Sequence, residues 1–300
     1  MIKITLLANA GLLLEAPGAR LLVDALFSLP APGFSAPSGQ MLDSALRGGV
    51  DCLLVTHRHP DHFSEELAER YAAHGDLAEI LLPETEPGQT VSRPGWSVEV
   101  IRTGHLAGGN AFGAVPHNCY LIDLFGVRLL ITADAEFRVS KAAKAFCNAR
   151  ADVIFVNPVF FSNSVGQRIL RDCAPRLVCV YHVPFLKDDI GGLRRLAAGS
   201  LRRFGSAHNR VEALMEEGQT TTEQPATCTC TEKCVAGAVN TVCPVCATDM
   251  SGCIGKEPEP EVPEATPAPE ETEQEPVGLN PAILLAVLAV LAGGGALAYF

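Results

Sequence analysis

Two things are scarce in this chain of 300 residues: positive charge gathered on one face, and a stretch that reads as a secretory leader. Residues 1–217 hold 21 Lys and Arg against 23 Asp and Glu, a net of −2, with no basic stripe. Charge therefore gives no support to nucleic-acid binding. The overall net charge of −11 belongs mostly to residues 218–300, where 2 basic residues face 11 acidic ones, a net of −9. Residues 4–14 are apolar behind a lone Lys3, but Asn9 and Gly11 interrupt the run. Two short strands joined at Asn9-Ala10-Gly11 explain that segment better than a leader does.

Cysteine divides the chain in the same way. Cys52, Cys119, Cys147, Cys173 and Cys179 are scattered, mostly in apolar surroundings, and read as ordinary reduced core residues. Cys228, Cys230, Cys234, Cys243, Cys246 and Cys253 crowd into 26 residues. Their spacing includes the knuckle Cys243-Pro244-Val245-Cys246, suited to tetrahedral zinc, while the even count also suits three disulfides. An external tail would favour disulfides and an internal one metal.

Beyond Glu217 the hydrophobic periodicity stops. The expected organisation is a domain over 1–217, a linker over 218–227, a Cys-rich module over 228–255 and a Pro/Glu spacer over 256–280. Residues 257–276 contain six Pro and eight Glu, too polar to bury a core. Extended at about 3.1 Å per residue, such a spacer reaches roughly 60 Å. Residues 281–300 are apolar and uncharged, and about 20 such residues suffice to cross a bilayer. The expectation is a single-pass membrane anchor at 281–300, with the N-terminal domain in the cytoplasm. No Lys or Arg follows the span, so the positive-inside rule is silent.

Within the first 205 or so residues, strand-like and helix-like stretches are mixed. Strands are expected at 2–7, 11–15, 20–24, 51–55, 79–82, 97–102, 119–124, 127–132, 152–156 and 177–181, and helices at 64–73, 138–148, 163–172 and 188–203. Strands come in runs as well as singly, which points to an α+β arrangement with helices outside mixed sheets.

The most informative run is Thr56-His57-Arg58-His59-Pro60-Asp61-His62. It follows the apolar stretch Asp51-Cys52-Leu53-Leu54-Val55, which reads as a buried strand. Residues two apart on an extended segment point the same way, so His57 and His59 can reach one metal. A turn at Pro60 lets Asp61 and His62 address a second ion. Three further candidates each lie just past an apolar strand: His105, Asp134 and His182. All could converge at one edge of the sheets, where loops carry function on a rigid scaffold. His117 is the main rival to His105 as a ligand, though contact with substrate is the better reading of it than ligation. His74 and His208 read as exposed and without a role.

These residues resemble the metallo-β-lactamase superfamily, and within it the small metal-dependent hydrolases of the ascorbate-lactonase-like branch. The similarity covers about residues 1–205, including the opening Ala8-Asn9-Ala10-Gly11-Leu12-Leu13-Leu14-Glu15 and Leu21-Leu22-Val23-Asp24. It implies an αββα sandwich. It implies one metal on His57, His59 and His105, a second on Asp61, His62 and His182, Asp134 bridging them, and a structural Asp24. The sequence departs from that branch at Asn9, where the branch has His, and at Ala133, where the family more often has Gly. The segment from Cys228 to Gly255, with its Glu-Pro repeats and hydrophobic end, resembles the C-terminal part of membrane-anchored proteins carried on mobile elements of gut Gram-positive bacteria.

The expected activity is hydrolysis of an ester, lactone, phosphodiester or amide in a small-molecule substrate. Two divalent ions, zinc or else manganese or iron, would supply hydroxide at neutral pH, and Asp61 would also orient the nucleophile. The competing reading is a non-enzymatic, membrane-anchored scaffold with a relic domain. Retention of all seven candidate ligands favours the enzyme.

Overall fold

The computed structural model describes residues 1–28, 32–106, 115–247 and 250–257. Two mixed sheets pack face to face. The first contains β1 (Ile2–Ala8), β2 (Gly11–Ala16), β3 (Ala19–Val23), β4 (Cys52–Leu54), β5 (Ile80–Leu81) and, beside β1, the late strand β13 (Thr220–Glu223). The second contains β6 (Thr90–Arg93), β7 (Trp96–Thr103), β8 (His117–Leu124), β9 (Val127–Ile131), β10 (Val153–Val156), β11 (Leu177–Val180) and β12 (Val211–Ala213). Strands β3, β4 and β5 run parallel, as do β9 to β12, while β7, β8 and β9 form an antiparallel meander.

The two-residue side-chain period sorts each strand between cores. Ile2, Ile4 and Leu6 of β1 meet Tyr120, Ile122 and Leu124 of β8 in the core between the sheets. Leu13, Leu22 and Leu53 face outward under α1 (Gly39–Leu46) and α2 (Glu65–Ala73). Cys119, Leu121, Leu130 and Ile154 face the other way, under α3 (Ser140–Asn148), α4 (Pro158–Ser162), α5 (Ser164–Cys173) and α6 (Leu193–Phe204). The layers are therefore helix, sheet, sheet, helix, as the resemblance implied. Ser64 caps α2 as expected, its hydroxyl accepting from Leu67 N.

Four expectations need correction. The helix expected from 188 starts at Leu193, because Asp189 accepts from the Leu193 and Arg194 N–H groups and Gly192 is left-handed. Residues 218–227 are more than a linker. Thr220–Glu223 pair antiparallel with Thr5–Ile2 of β1, an assignment that three threonines in a row did not suggest. Cys147 and Cys173 are partly exposed at the ends of α3 and α5, with their sulfurs 2.7 Å apart, so they are not core residues. His208 is half-buried and bonded to Gln167 Oε1 at 2.9 Å. Among the described residues no helix is long and apolar enough to cross a membrane, and the expected anchor at 281–300 lies outside them.

Strand β13 covers the edge of β1, and Gly218 N and Leu6 N extend the pairing through Leu6 O and Gln219 O. A chain ending at 217 uncovers that edge. It should melt roughly 5 °C or more below a chain ending at 227 and aggregate faster. Equal melting of the two in a thermal scan would show that β13 adds nothing to the fold.

Candidate metal centre

Strands β3, β4, β7, β9 and β11 all end at one rim of the sandwich, and each delivers polar residues there. After β4 the chain bends at Thr56 and presents His57 and His59, while Arg58 between them pairs with Glu84 at 2.8 Å. Pro60 then opens a turn closed by His62 N donating to His59 O at 2.9 Å. That turn swings Asp61 and His62 to the other side of the rim.

The geometry has one centre. Asp134 Oδ2 lies 3.8 Å from His57 Nε2, 3.7 Å from His105 Nε2, and 3.5 Å from both His62 Nε2 and His182 Nε2. On one side His57, His59 and His105 bring a nitrogen each within 4.8 Å of one another, and His57 Nε2 sits 2.9 Å from His59 Nδ1. On the other side a carboxylate oxygen of Asp61 and one nitrogen each of His62 and His182 lie within 4.8 Å of one another, with His62 Nε2 and His182 Nε2 2.9 Å apart. All seven sequence candidates are thus brought together. His117 belongs to neither triad. Its ring centre is 5.2 Å from that of His57, its Nδ1 meets Thr103 Oγ1 at 2.9 Å, and its buried Nε2 has no hydrogen-bond partner. His74 caps α2 on the surface.

A second layer of buried polar groups, invisible in the motif, aims the donors. Asp24 is fully buried and accepts from Thr56 N at 2.8 Å, from Thr56 Oγ1 at 2.6 Å and from His62 Nδ1 at 2.9 Å. The Thr56 hydroxyl has one proton, given to Asp24, so it accepts from His57 Nδ1 at 3.0 Å. Both imidazoles therefore carry hydrogen on Nδ1 and turn the lone pair of Nε2 to the centre. Asn157 caps α4 with its carbonyl and donates to Asp134 Oδ1 at 2.9 Å, leaving Oδ2 for the centre. Asn9 pins His182, whose N–H donates to Asn9 O at 2.9 Å. Tyr120 crosses between the sheets to donate to Val55 O at 2.7 Å.

Holding this layer strains the backbone. Asn9, Asp24, Ala133 and His182 all have positive φ, between 42° and 59°. The left-handed turn at Ala133 is a conformation that glycine adopts at least cost.

Ionisation follows the crowding. Burial holds His57 well below its ordinary value, and His62 adds repulsion. Burial alone would lower His62 too, but Asp24, Asp61 and Asp134 outweigh it and hold the ring well above. Burial works to raise Asp134, yet His182, His105 and His62 keep it well below the usual carboxylate range. His117 is pushed down to about 3, chiefly by burial.

The residues fit a pair of divalent ions. The donors are imidazole and carboxylate, they converge in two triads about a shared carboxylate, and buried His105 Nε2 has no hydrogen-bond partner.

Comparison with known proteins identifies the family and the fold. A beta-lactamase superfamily domain matches residues 3–177, more than half of the chain. The chain belongs to the beta-lactamase superfamily. A second domain, described as mobile element protein CD1107-like, matches residues 209–300. No curated protein matches the chain in sequence. Among solved structures, CmlA, a diiron beta-hydroxylase from Streptomyces venezuelae, is similar at 15% identity and TM-score 0.56, over 74% of this chain. The match spans only 54% of the hydroxylase. A possible metal-dependent hydrolase from Veillonella parvula is similar at 16% identity and TM-score 0.52, over 74% of this chain and 100% of that one. Such identities speak to the superfamily fold alone.

Asp24→Ala should expose how much the second layer carries. It leaves two Thr56 donors and His62 Nδ1 buried without an acceptor, a loss of about 3 kcal/mol or more. Urea unfolding should register that loss, whereas an unchanged midpoint would mean that water or another group replaces the carboxylate.

Proposed function

We propose that the protein is a dinuclear metal-dependent hydrolase acting on an ester, lactone, phosphodiester or amide bond of a small molecule. The observation that carries this reading is the pair of donor triads meeting at Asp134 Oδ2. A relic scaffold would have no reason to keep the donors and also the buried partners that aim them. His57, His59 and His105 would hold one ion, Asp61, His62 and His182 the other, and Asp134 would reach both. Zinc suits the set, with manganese or iron as alternatives. When bound, such ions acidify water and polarise an acyl or phosphoryl oxygen.

The chain's own residues do the rest. Asp61, nearly buried beside His62 and His182, accepts a proton or hydrogen bond from the attacking water and so orients it. His117 stays neutral at working pH and offers Nε2 to the substrate. Asn157 and Asp24 keep Asp134 and His62 from rotating out of line. We further propose that residues 281–300 tether the domain to a membrane, on the strength of their length and apolarity.

Residues 1–227 should bind about two divalent ions per chain by elemental analysis. Asp134→Ala and His59→Ala should each lower that number and nearly abolish turnover on an esterase and phosphodiesterase panel. His117→Ala should keep both ions while turnover falls roughly 100-fold. A purified domain that binds no metal on titration would end the hydrolase reading. For the tether, the full chain should sediment with membranes and a chain ending at 257 should not. If both partition alike, residues 281–300 are not an anchor.

A further inference from the structure

The C-terminal module has almost no apolar core. Its interior is made of Cys228, Cys243 and Cys246, with Cys230, Cys234, Cys253, Val239 and Val245 packed against them. A segment this short needs a cross-link or a metal to hold one structure.

The sulfurs form a mesh, not three pairs. Cys246 Sγ lies 3.7 Å from that of Cys228 and 3.6 Å from that of Cys230. Cys230 is also 3.5 Å from Cys234, and Cys228 is 3.7 Å from Cys243. Three disulfides would give each sulfur one partner at about 2.0 Å. Here Cys228, Cys230 and Cys246 each face two. Four sulfurs about 2.3 Å from one ion at tetrahedral corners lie about 3.8 Å apart, close to these spacings.

The mesh resolves into two overlapping quartets. Cys228, Cys230, Cys243 and Cys246 form one, and Cys230, Cys234, Cys246 and Cys253 the other, the sulfurs of each within 4.8 Å of one another. Two residues are common to both. Backbone N–H groups point at the sulfurs, as thiolates require: Thr229 and Cys246 donate to Cys243 Sγ, Cys234 to Cys253 Sγ, and Asn240 to Cys234 Sγ. The loop closes where Lys233 N donates to Lys256 O and Lys256 N to Thr231 O. At Gly255 a Cβ would fall 2.1 Å from Glu232 O, so only glycine fits that closure.

We propose that these six cysteines hold two zinc-class ions in one thiolate cluster, with the sulfurs of Cys230 and Cys246 shared between the ions. Each ion is closed by four sulfurs, which makes the cluster structural and leaves no position for a substrate. Six thiolates against two divalent ions leave a net charge of −2, which the N–H donors offset.

The test uses the full chain, purified reduced and loaded with cadmium. Cadmium NMR should show two resonances in the all-thiolate range, split by coupling through the shared sulfurs. Signals from the His and Asp centre fall elsewhere. A chelator should remove both thiolate-bound ions together and release all six cysteines to alkylation. Replacing Cys230 and Cys246 together by Ser should erase the coupling and either one alone should weaken it, while Cys228→Ser should leave the Cys253-side resonance. If a variant fails to fold, the native spectrum still decides. A single thiolate resonance, two uncoupled ones, or a mass showing three disulfides in the reduced preparation would each overturn the proposal.

Discussion

Asp134 Oδ2 is the point to which the rim of the sandwich is built. Four imidazole nitrogens stand 3.5–3.8 Å from it, delivered by three separate strand ends. Nothing local could assemble such a set. His57 and His62 follow β4 of the first sheet, whereas His105, Asp134 and His182 follow β7, β9 and β11 of the second. The spacing holds only if both sheets end level, which is what the core between them and the Tyr120 bond to Val55 secure.

The arrangement has a thermodynamic consequence. Asp24, Thr56, His57, His62 and Asn157 are all buried, which would be costly if any were unpaired. Asp24 resolves much of this by accepting three hydrogen bonds and so fixing the protons of two imidazoles. Four residues with left-handed backbone at the same rim add strain of order 1 kcal/mol each. The apolar interiors of the two sheets must therefore carry the stability that this rim gives up.

Much of the fold was legible because its signals are local, and the candidate donors because each stands just past its own apolar strand. Short apolar stretches marked ten strands, and the His-rich run marked itself by density at a strand end. The aiming layer was legible only at Asp24, which the resemblance marked as structural without giving its partners. Asp24 lies 38 residues from His62, and Asn157 lies 23 from Asp134, so no spacing rule joins them. Asn157 also caps α4 ahead of Pro158. Strand β13 was missed for a different reason: Thr220–Glu223 has one buried side chain, Thr221, and owes its conformation to β1, not to its own pattern.

That last strand bears on how the two family segments join. The CD1107-like match begins at residue 209, ahead of β12 and β13. Yet β12 is the outer strand of the second sheet and β13 that of the first. The C-terminal segment therefore completes both sheets before it departs. The junction in sequence and the junction in structure differ by about fifteen residues, since the sandwich ends only after Glu223. The cysteine module follows at once and stays close: Pro244 and Ala247 share a cleft of about 360 Å³ with Cys147, Asp152, Cys173 and Arg176. A module that begins by closing two open sheet edges is built into its neighbour. Its contribution to the sandwich is edge protection, which any length of flexible linker would have lost.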